Sequence, residues 1–447
     1  MIRAIRSVVR GEGIASAFRR TQERMGEAAQ ATALRLRGAF AGDAATPILN
    51  VAASGTSLRL GGLQAQLMAR LDAERAFRTV ALVSPGILDL SKPRHTRRVS
   101  QDIATAIRDS IAITGARTIH FEGMHGMPFD GVLRLIDRGF DVIVSVHDFS
   151  LFCARPHLIE EPIGNFCFYS EDLDRCHRCL NNVSRNEQRD RRSLARQILT
   201  AAKRVIFPSQ FQLDQHRQLF SLPEIVGVVI EPGVPGNAGV SPAVLARTDS
   251  GRDARAPRQI AYAGSAKRHK GAHLLADLAQ RLGDTTLHIF GGGDEDLLRG
   301  LRTFPNVSVH GYYRVGELPS LLQRHGIGLV VVPSIWPEAH CLVISEAWLA
   351  GAAVVAFDLG AQAERIRAHG GGWLAPLESG ADGLAAIVEQ WLAGTITATV
   401  PDNIASPLDA ARAHLDLYRN YIPLPDNAAA TLRKSNRTSS QSDHEHM

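Results

Sequence analysis

The chain has 447 residues, of which 45% are hydrophobic and 21% charged, and its formal net charge at pH 7 is +5. This length exceeds what one ordinary hydrophobic core organises, so two or three domains are expected. The composition is that of a globular protein, and the sequence has no long uninterrupted apolar run of the kind that predicts a transmembrane helix. The N-terminus lacks the apolar core of a signal peptide, which predicts a cytoplasmic protein.

Residues 1–45 are predicted to be a basic, helical extension. Met1–Phe40 contains eight arginines and only three glutamates, with apolar residues spaced between them as in a helix. One interpretation is a surface helix held at the inner face of the membrane by anionic lipid; the other is a solvated extension. No nucleic-acid-binding motif accompanies the charge, so nucleic acid is not an expected partner.

Residues 46–231 are predicted to form the first α/β domain. It opens with a strand (Pro47–Ala53), a loop containing Gly61 and Gly62, and a helix (Gln64–Leu71). The glycine spacing is not the dinucleotide fingerprint, so NAD is not predicted, and the glycines either allow a tight turn or let backbone amides approach a ligand. Strands and helical patterns then alternate, which predicts a parallel, doubly wound sheet: strands Thr79–Val83, Thr118–Phe121, Val142–Val146 and Arg204–Phe207, with helices Val99–Thr114 and Gly131–Arg138.

Two of these strands end in histidines and carboxylates, in the stretches His120–His125 and Ser145–Ser150. The carboxyl ends of parallel strands line the ligand crevice of such a sheet. His147 is therefore a candidate site residue, although a structural histidine is the alternative.

Four cysteines follow within 27 residues and end in a Cys-x-x-Cys pair: Cys153, Cys167, Cys176 and Cys179. In a protein predicted to be cytoplasmic, this grouping favours a structural zinc loop over disulfides. Unbound thiols are the alternative, because the spacing between the first three cysteines matches no standard zinc finger.

A second α/β domain (258–404) is predicted after a linker rich in glycine, proline and alanine (232–257). Its first strand, Ile260–Ala263, runs into the basic turn Gly264–Gly271, which contains Arg268 and Lys270. Such a turn either holds an anionic group such as a diphosphate or is a solvated loop. A helix within 405–422 and a disordered tail (423–447) are predicted to complete the chain.

The second domain also contains a distinctive strand-to-helix segment, Trp336–Trp348, after the buried strand Ile327–Pro333. It places Glu338 at the strand's carboxyl end and Glu346 on the following helix, whose N-terminus favours phosphate. A carboxylate inside the apolar pattern of that helix needs a partner. A ribose diol would supply one; a salt bridge is the alternative for Glu346.

These motifs resemble the GT-B retaining glycosyltransferases of family 4. The resemblance spans about residues 46–422 and rests on a small set of segments: Pro337-Glu338 and Glu346-Ala347, Gly264 with Lys270-Gly271, Pro208-Ser209, Glu231-Pro232-Gly233-Val234, and Asp358-Leu359-Gly360. His147-Asp148-Phe149 followed by the four cysteines resembles a cysteine-loop subset of that family.

The resemblance implies two Rossmann-like domains facing a cleft, with the donor mainly on the second domain. Lys270 would contact the diphosphate, Glu346 the ribose and Glu338 the donor-sugar hydroxyls. Backbone amides of His340, Cys341 and Leu342 would lie near the phosphates. His147 would approach the donor sugar, and the Gly61-Gly62 loop would lie against the diphosphate or acceptor. The family's usual arginine after Gly264 is Ser265 here, so Arg268 or Lys267 is expected to take its place.

The predicted function is transfer of a sugar, with net retention, from a UDP- or GDP-sugar to a glycan or lipid-linked acceptor in cell-surface polysaccharide biosynthesis. No cofactor is expected to be required for catalysis. Two alternatives stay open: a sugar-nucleotide epimerase of the same fold, and a non-catalytic scaffold with a zinc loop.

Overall fold

The computed structural model describes residues 46–52, 67–72, 76–83, 86–89, 96–98, 102–235 and 259–422. The predicted basic extension, the loop with Gly61 and Gly62, residues 236–257 of the predicted linker and the predicted disordered tail lie outside these residues. Among the helices that the structure describes, none is both long and apolar enough to span a bilayer.

The first domain is built on an eight-stranded sheet with the order β10-β9-β6-β5-β1-β2-β3-β4. Only the β2–β3 and β3–β4 pairs are antiparallel. A separate two-stranded hairpin, β7–β8, projects from the segment after β6. The strands are β1 (Thr46–Ala52), β2 (Phe77–Val83), β3 (Gly86–Asp89), β4 (Thr96–Arg98), β5 (Thr118–Glu122), β6 (Asp141–Ser145), β7 (Ile159–Glu160), β8 (Asn165–Phe166), β9 (Arg204–Phe207) and β10 (Gly227–Val229).

Helices α1 to α5 connect or flank these strands, and residues 67–71 are also helical. Their bounds are α1 (Ile103–Thr114), α2 (Phe129–Asp137), α3 (Leu173–Leu180), α4 (Arg185–Ala201) and α5 (Gln210–Phe220). Helix α1 begins four residues later than predicted because the Asp102 side chain caps it, accepting a hydrogen bond from the Thr105 amide.

The second domain is a six-stranded, wholly parallel sheet with the order β13-β12-β11-β14-β15-β16. Its strands are β11 (Gln259–Ala263), β12 (Leu287–Phe290), β13 (Val307–Gly311), β14 (Ile327–Val332), β15 (Ala353–Phe357) and β16 (Gly372–Ala375). Its helices are α6 (Leu275–Arg281), α7 (Glu295–Leu301), α8 (Leu318–Arg324), α9 (Leu342–Leu349), α10 (Gly360–His369) and α11 (Gly380–Leu392). Two mainly parallel sheets flanked by helices confirm the predicted α/β fold class.

The last helix, α12 (Pro407–Tyr421), returns to the first domain. Its Ala411, Leu415 and Tyr418 share a hydrophobic cluster with Ile48 and Phe77 of the first sheet. The sequence predicted this helix but not its packing against the first domain. The chain therefore crosses between the domains twice, and the helix at its end helps to bury the first sheet.

Tyr418 connects this helix to the interior of the first sheet by polar contacts as well. Its hydroxyl is fully buried, lies 2.6 Å from Nδ1 of His120 and donates to Oδ1 of Asn50 at 3.4 Å. His120 is bonded in turn to Ser145 Oγ at 2.8 Å. These contacts satisfy polar groups that burial would otherwise make costly.

Replacing Tyr418 by phenylalanine should destabilise the protein, because His120 and Asn50 lose a buried partner. We expect a loss of about 1–3 kcal/mol, measured from urea denaturation midpoints. Asp416→Asn, at an exposed position of the same helix, should change stability by less than about 0.5 kcal/mol. Equal stability of Tyr418→Phe and the wild type would contradict the account.

Candidate functional site

The candidate site is built from two loops at the carboxyl ends of neighbouring strands in the second domain. One follows β11 and contains Lys270; the other follows β14 and contains Glu338. They pack in direct backbone contact at Gly271, where φ is +72° and a Cβ atom would lie 1.7 Å from the Pro333 carbonyl oxygen. Only glycine fits this position, and the close approach brings Lys270 to Glu338.

Lys270 and Glu338 form a short, doubly hydrogen-bonded ion pair. The ammonium Nζ lies 2.7 Å from Oε1 and 2.8 Å from Oε2 of the carboxylate. Ser334 Oγ also donates to Oε1 at 2.6 Å, and the Trp336 ring centroid lies 5.3 Å from Nζ. The Glu338 side chain is buried, whereas the Lys270 side chain is 30% exposed. The carboxylate is therefore fixed in place, while the ammonium keeps a side on which a ligand can bind.

The backbone of Glu338 is held by the turn that starts helix α10. Its amide donates to Gln362 Oε1 at 3.1 Å, and its carbonyl accepts from the Ala361 amide at 3.0 Å. Gly360 has a φ of +65°, and a Cβ there would lie 2.7 Å from the Glu338 nitrogen. The Asp358-Leu359-Gly360 segment noted in the sequence thus leads into the turn that holds the Glu338 backbone in place.

Helix α9 begins without a side-chain cap. Its N-cap residue, Cys341, has a φ of +65°, a backbone conformation that is costly for any residue except glycine. Among the described residues, no group accepts a hydrogen bond from the amides of Leu342 and Val343. Gly264 lies beside this end of the helix, since its Cβ would be 3.8 Å from a Val343 methyl. Unpaired amides at a helix start are a site for an anion.

Arg365 holds the strained turn before α9. Its guanidinium donates to the carbonyls of His340 at 3.3 Å and Cys341 at 3.0 Å, and to Ser345 Oγ at 2.6 Å. The Cys341 thiol is buried, which raises its pKa to about 12. Cys341 therefore contributes backbone geometry to the site and not a thiolate.

Glu346 is a buried carboxylate without a partner. It lies one turn into α9 and is 8% exposed, and burial raises its pKa to about 7. No described residue forms a hydrogen bond or an ion pair with its side chain. The structure thus departs from the salt-bridged alternative, and leaves a carboxylate that a hydroxyl-bearing ligand would satisfy.

The two domains meet on either side of these loops. His340 Nδ1 lies 3.0 Å from the Pro208 carbonyl, to which it donates, and Ser209 Oγ donates to the Ala339 carbonyl at 2.7 Å. Arg268 Nε donates to the Gly164 carbonyl at 2.9 Å. The side chains of His340 and Arg268 are thus engaged with the first domain. Arg268 was expected at a phosphate, and this contact was not foreseen from the sequence.

His147 lies in the first domain, just after β6. Its Nε2 is 3.6 Å from Oε2 of Glu122, and its side chain is 21% exposed. Burial disfavours the charged form of Glu122, but His120 and His147 outweigh it and lower the pKa of Glu122 to about 2. No hydrogen bond or ion pair joins His147 to the second domain within the described residues.

The role of Glu122 was missed in the sequence, although a signal existed. β5 and β6 are adjacent and parallel, and Glu122 pairs with Ser145, two residues before His147. A carboxylate at the end of one strand and a histidine at the end of the next are thereby placed together.

The four clustered cysteines line one cavity between the β7–β8 hairpin and α3. None of them forms a disulfide.

Gly271→Ala should destabilise the protein, because the new methyl overlaps the Pro333 carbonyl and forces the Lys270 turn away from Glu338. Gly283→Ala is the matched control, since Gly283 also has a positive φ (+56°) but nothing lies within 4 Å of its Cβ position. We expect a larger fall in the thermal unfolding temperature for Gly271→Ala. An equal fall in unfolding temperature for the two variants would show that the backbone contact at Gly271 does not constrain the Lys270 turn.

Glu346→Gln should stabilise the unliganded protein increasingly as pH rises from about 4.5 to about 7. The folded-state pKa of about 7 lies above the ordinary 4.5, so the charge of Glu346 costs stability progressively as pH rises from about 4.5 to about 7. The amide removes that cost, worth up to about 3 kcal/mol above pH 7 and little near pH 5.

Urea denaturation of wild type and variant at the two pH values measures this difference. The exposed Glu378 provides a control, since Glu378→Gln should change the free energy of unfolding by the same small amount at both pH values. A Glu346→Gln effect independent of pH would contradict a buried, unpaired carboxylate.

Comparison with known proteins agrees with this geometry. Residues 249–405, which include Lys270, Glu338 and Glu346, match the family model described as glycosyl transferases group 1. A search of curated protein sequences found no match. Solved structures with the same architecture include sucrose-phosphate synthase from Thermosynechococcus elongatus, with a TM-score of 0.55 and 17% identity over 89% of this chain and 100% of that one.

Two further structures are similar over nearly the full length. Anabaena Alr3699/HepE in complex with UDP has a TM-score of 0.51 and 16% identity, over 88% of this chain and 100% of that one. A glycosyltransferase from Rickettsia africae has a TM-score of 0.50 and 15% identity, over 90% and 99%. The group 1 domain, carried on this two-sheet architecture, identifies the chain as a glycosyltransferase of the GT-B fold.

Proposed function

We propose that the chain is a retaining glycosyltransferase that moves a sugar from a UDP- or GDP-sugar to a glycan or lipid-linked acceptor. The observation that carries the proposal is the buried, unpaired carboxylate of Glu346, one turn from the open helix start and in the same domain as Lys270. Lys270 and the free amides at the start of α9 suit a diphosphate, and the Glu346 carboxylate suits the hydroxyls of a ribose. Together these groups match a nucleoside diphosphate.

The diphosphate would be bound between Lys270 and the start of α9. A lysine ammonium has three donors, and Glu338 occupies two of them in this structure. The amides of Leu342 and Val343 add donors and the positive end of the helix dipole. Gly264 has no side chain to obstruct an approach to these amides.

The ribose would be bound by Glu346. Its ionised form can accept hydrogen bonds from both hydroxyls of a diol. Because these bonds favour the charged form, donor binding should lower the raised pKa of Glu346. Neither observation discriminates between uridine and guanosine. The UDP complex of the HepE protein, which shares this architecture, supports a nucleotide donor.

The donor sugar would lie near Glu338 and face His147 across the cleft. The Glu338 carboxylate has about one lone-pair site left, on Oε2, after its three bonds to Lys270 and Ser334, and this site can accept from a sugar hydroxyl. Its ion pair with Lys270 makes it a poor free nucleophile. Given the retention that the family resemblance implies, this favours attack by the acceptor on the face from which the diphosphate leaves over a covalent intermediate.

The chemistry follows from the charges that develop. Cleavage between the anomeric carbon and the phosphate oxygen leaves negative charge on the diphosphate, and Lys270 with the α9 amides opposes it. The leaving phosphate can take the proton of the attacking hydroxyl. Because Lys270 and the α9 amides can oppose the charge of the leaving group, we propose no cofactor for catalysis.

Binding of the acceptor is assigned to the first domain. Its Gly61-Gly62 loop and the basic residues 1–45 lie outside the described part of the chain. A lipid-linked or cell-surface glycan, met at an anionic membrane, is proposed from the basic N-terminal sequence.

Lys270→Ala should abolish transfer while the protein stays folded, since it removes the cation opposite the leaving diphosphate. Lys203→Ala is the control, because Lys203 lies in the first domain and pairs with Asp141 at 3.4 Å. Incubation with labelled UDP- and GDP-sugars measures transfer and donor hydrolysis, and proton NMR of the product gives its anomeric configuration.

Full activity of Lys270→Ala would contradict the proposed function. A product with inverted anomeric configuration would contradict the proposed retention. Epimerised nucleotide sugar would instead support the epimerase. Absence of any nucleotide binding would support the scaffold.

A further inference from the structure

The loop between β6 and α4 encloses a small cavity that the sugar-transfer site does not use. Its volume is about 20 Å³, enough for one water-sized sphere. Four thiols line it from three separate pieces of chain: Cys153 before the β7–β8 hairpin, Cys167 just after it, and Cys176 with Cys179 on α3. None is disulfide-bonded.

The sulfur atoms receive N–H hydrogen bonds. The Arg155 amide donates to Cys153 Sγ at 3.4 Å, and the Glu161 amide to Cys179 Sγ at 3.4 Å. N–H donors of this kind would stabilise a metal-bound thiolate sulfur.

The surrounding charge is also suitable for a metal–thiolate centre. Four thiolates around a divalent cation carry a net charge of −2, which needs nearby cations. Arg192 Nη2 donates to Cys176 Sγ at 3.4 Å. Arg155 and Arg175 also line the cavity, and each is paired with a carboxylate, Glu161 and Glu160. Arg192 is therefore the cation that would offset the charge of a metal–thiolate centre.

The backbone of this loop is held in conformations that ordinary residues avoid. Phe168 and Tyr169, directly after Cys167, both have positive φ values (53° and 57°), as does Leu158 (59°). These conformations form the tight turn that follows Cys167. Strain of this kind persists where a site requires a particular geometry.

We propose that Cys153, Cys167, Cys176 and Cys179 bind one zinc ion in a closed, tetrahedral, structural site. A set of four thiolates selects zinc or iron–sulfur chemistry, and a cavity for a single small sphere fits a mononuclear ion. Binding releases the thiol protons to solvent and draws the four sulfurs inward around the ion.

The position of the loop gives the ion a structural role at the cleft. Between Cys153 and Cys167 lie His157, whose ring stacks on His269 at 4.6 Å, and Gly164, whose carbonyl accepts from Arg268. Arg268 and His269 immediately precede Lys270. The zinc would therefore stabilise the part of the first domain that supports the basic turn of the second.

A second cluster of side chains could also ligate a metal, and the experiment has to distinguish it from the four cysteines. Nitrogen atoms of His288, His310 and His325 lie within 4.8 Å of one another at the edge of the second sheet. His310 is exposed, and its Nε2 lies 2.8 Å from Nδ1 of His288, so these rings already satisfy each other. These histidines provide an internal control.

The test is the metal content of the full-length protein, purified without a metal-affinity tag and measured by inductively coupled plasma mass spectrometry. We expect one zinc per chain in the wild type and in His310→Ala. We expect none in a double variant, Cys176→Ser with Cys179→Ser. Cobalt(II) in place of zinc should give sulfur-to-cobalt charge-transfer absorption in the first two proteins and none in the third.

A wild-type protein that contains no zinc and gives no cobalt–thiolate absorption would overturn the proposal, whether or not the cysteine variant folds. So would iron in place of zinc, zinc lost with His310→Ala, or fewer than five free thiols after denaturation with a chelator, which would indicate disulfides.

Hydrogen exchange adds a readout of the loop itself. Chelation should increase exchange in residues 153–179 and in the turn at Arg268–Lys270, and added zinc should restore protection. Exchange unchanged by chelation in a zinc-containing protein would contradict the role at the cleft. Because neither metal content nor exchange depends on sugar transfer, this proposal can fail while the proposed function stands, and the reverse also holds.

Discussion

The Lys270–Glu338 ion pair is the interaction on which the rest of the site depends. Two unlike loops, one after β11 and one after β14, have to approach within hydrogen-bonding distance for it to form. Two positions without side chains permit this approach, Gly271 against the Pro333 carbonyl and Gly360 against the Glu338 backbone. The pair fixes the carboxylate and leaves the ammonium partly open beside the helix start.

The first domain supports this pair through contacts on both sides of it. Pro208 and Ser209 bind the backbone and side chain of the turn before α9, while the cysteine loop binds Arg268. Helix α12 returns from the second domain and buries Tyr418 beside His120, two residues before Glu122 on the same strand. The alignment of the cleft is thus determined by a few polar contacts and one crossing helix.

The sequence predicted the fold well where apolar periodicity was strong. Strand β9 was predicted with the bounds that the structure has, and β5 to within one residue, because each is a buried strand ended by clear turn signals. Helix α4 was missed because it is mostly polar, although its capping box, Ser184 with Glu187, was present in the sequence. Local patterns could not place α12 on the first sheet, since that contact joins residues about 300 positions apart.

Within the site, motif spacing placed Lys270, Glu338 and Glu346 in one unit, but their pairing depends on tertiary contacts. Sequence alone did not show that Lys270 and Glu338 neutralise each other, or that Glu346 has no described partner. It also named Arg268 or Lys267 as the second phosphate contact, which stays a prediction; in the structure Arg268 donates to the Gly164 carbonyl. Side chains of long reach are the hardest to assign, because several partners lie within their range.

The most direct test of the central claim is calorimetric titration of the wild type and Glu346→Gln with UDP-glucose and GDP-mannose. The account predicts that at least one nucleotide sugar binds the wild type, more tightly as pH rises through about 7 and Glu346 ionises. It also predicts that Glu346→Gln binds much more weakly and without that pH dependence. Binding of equal strength in both proteins, or in neither, would contradict it.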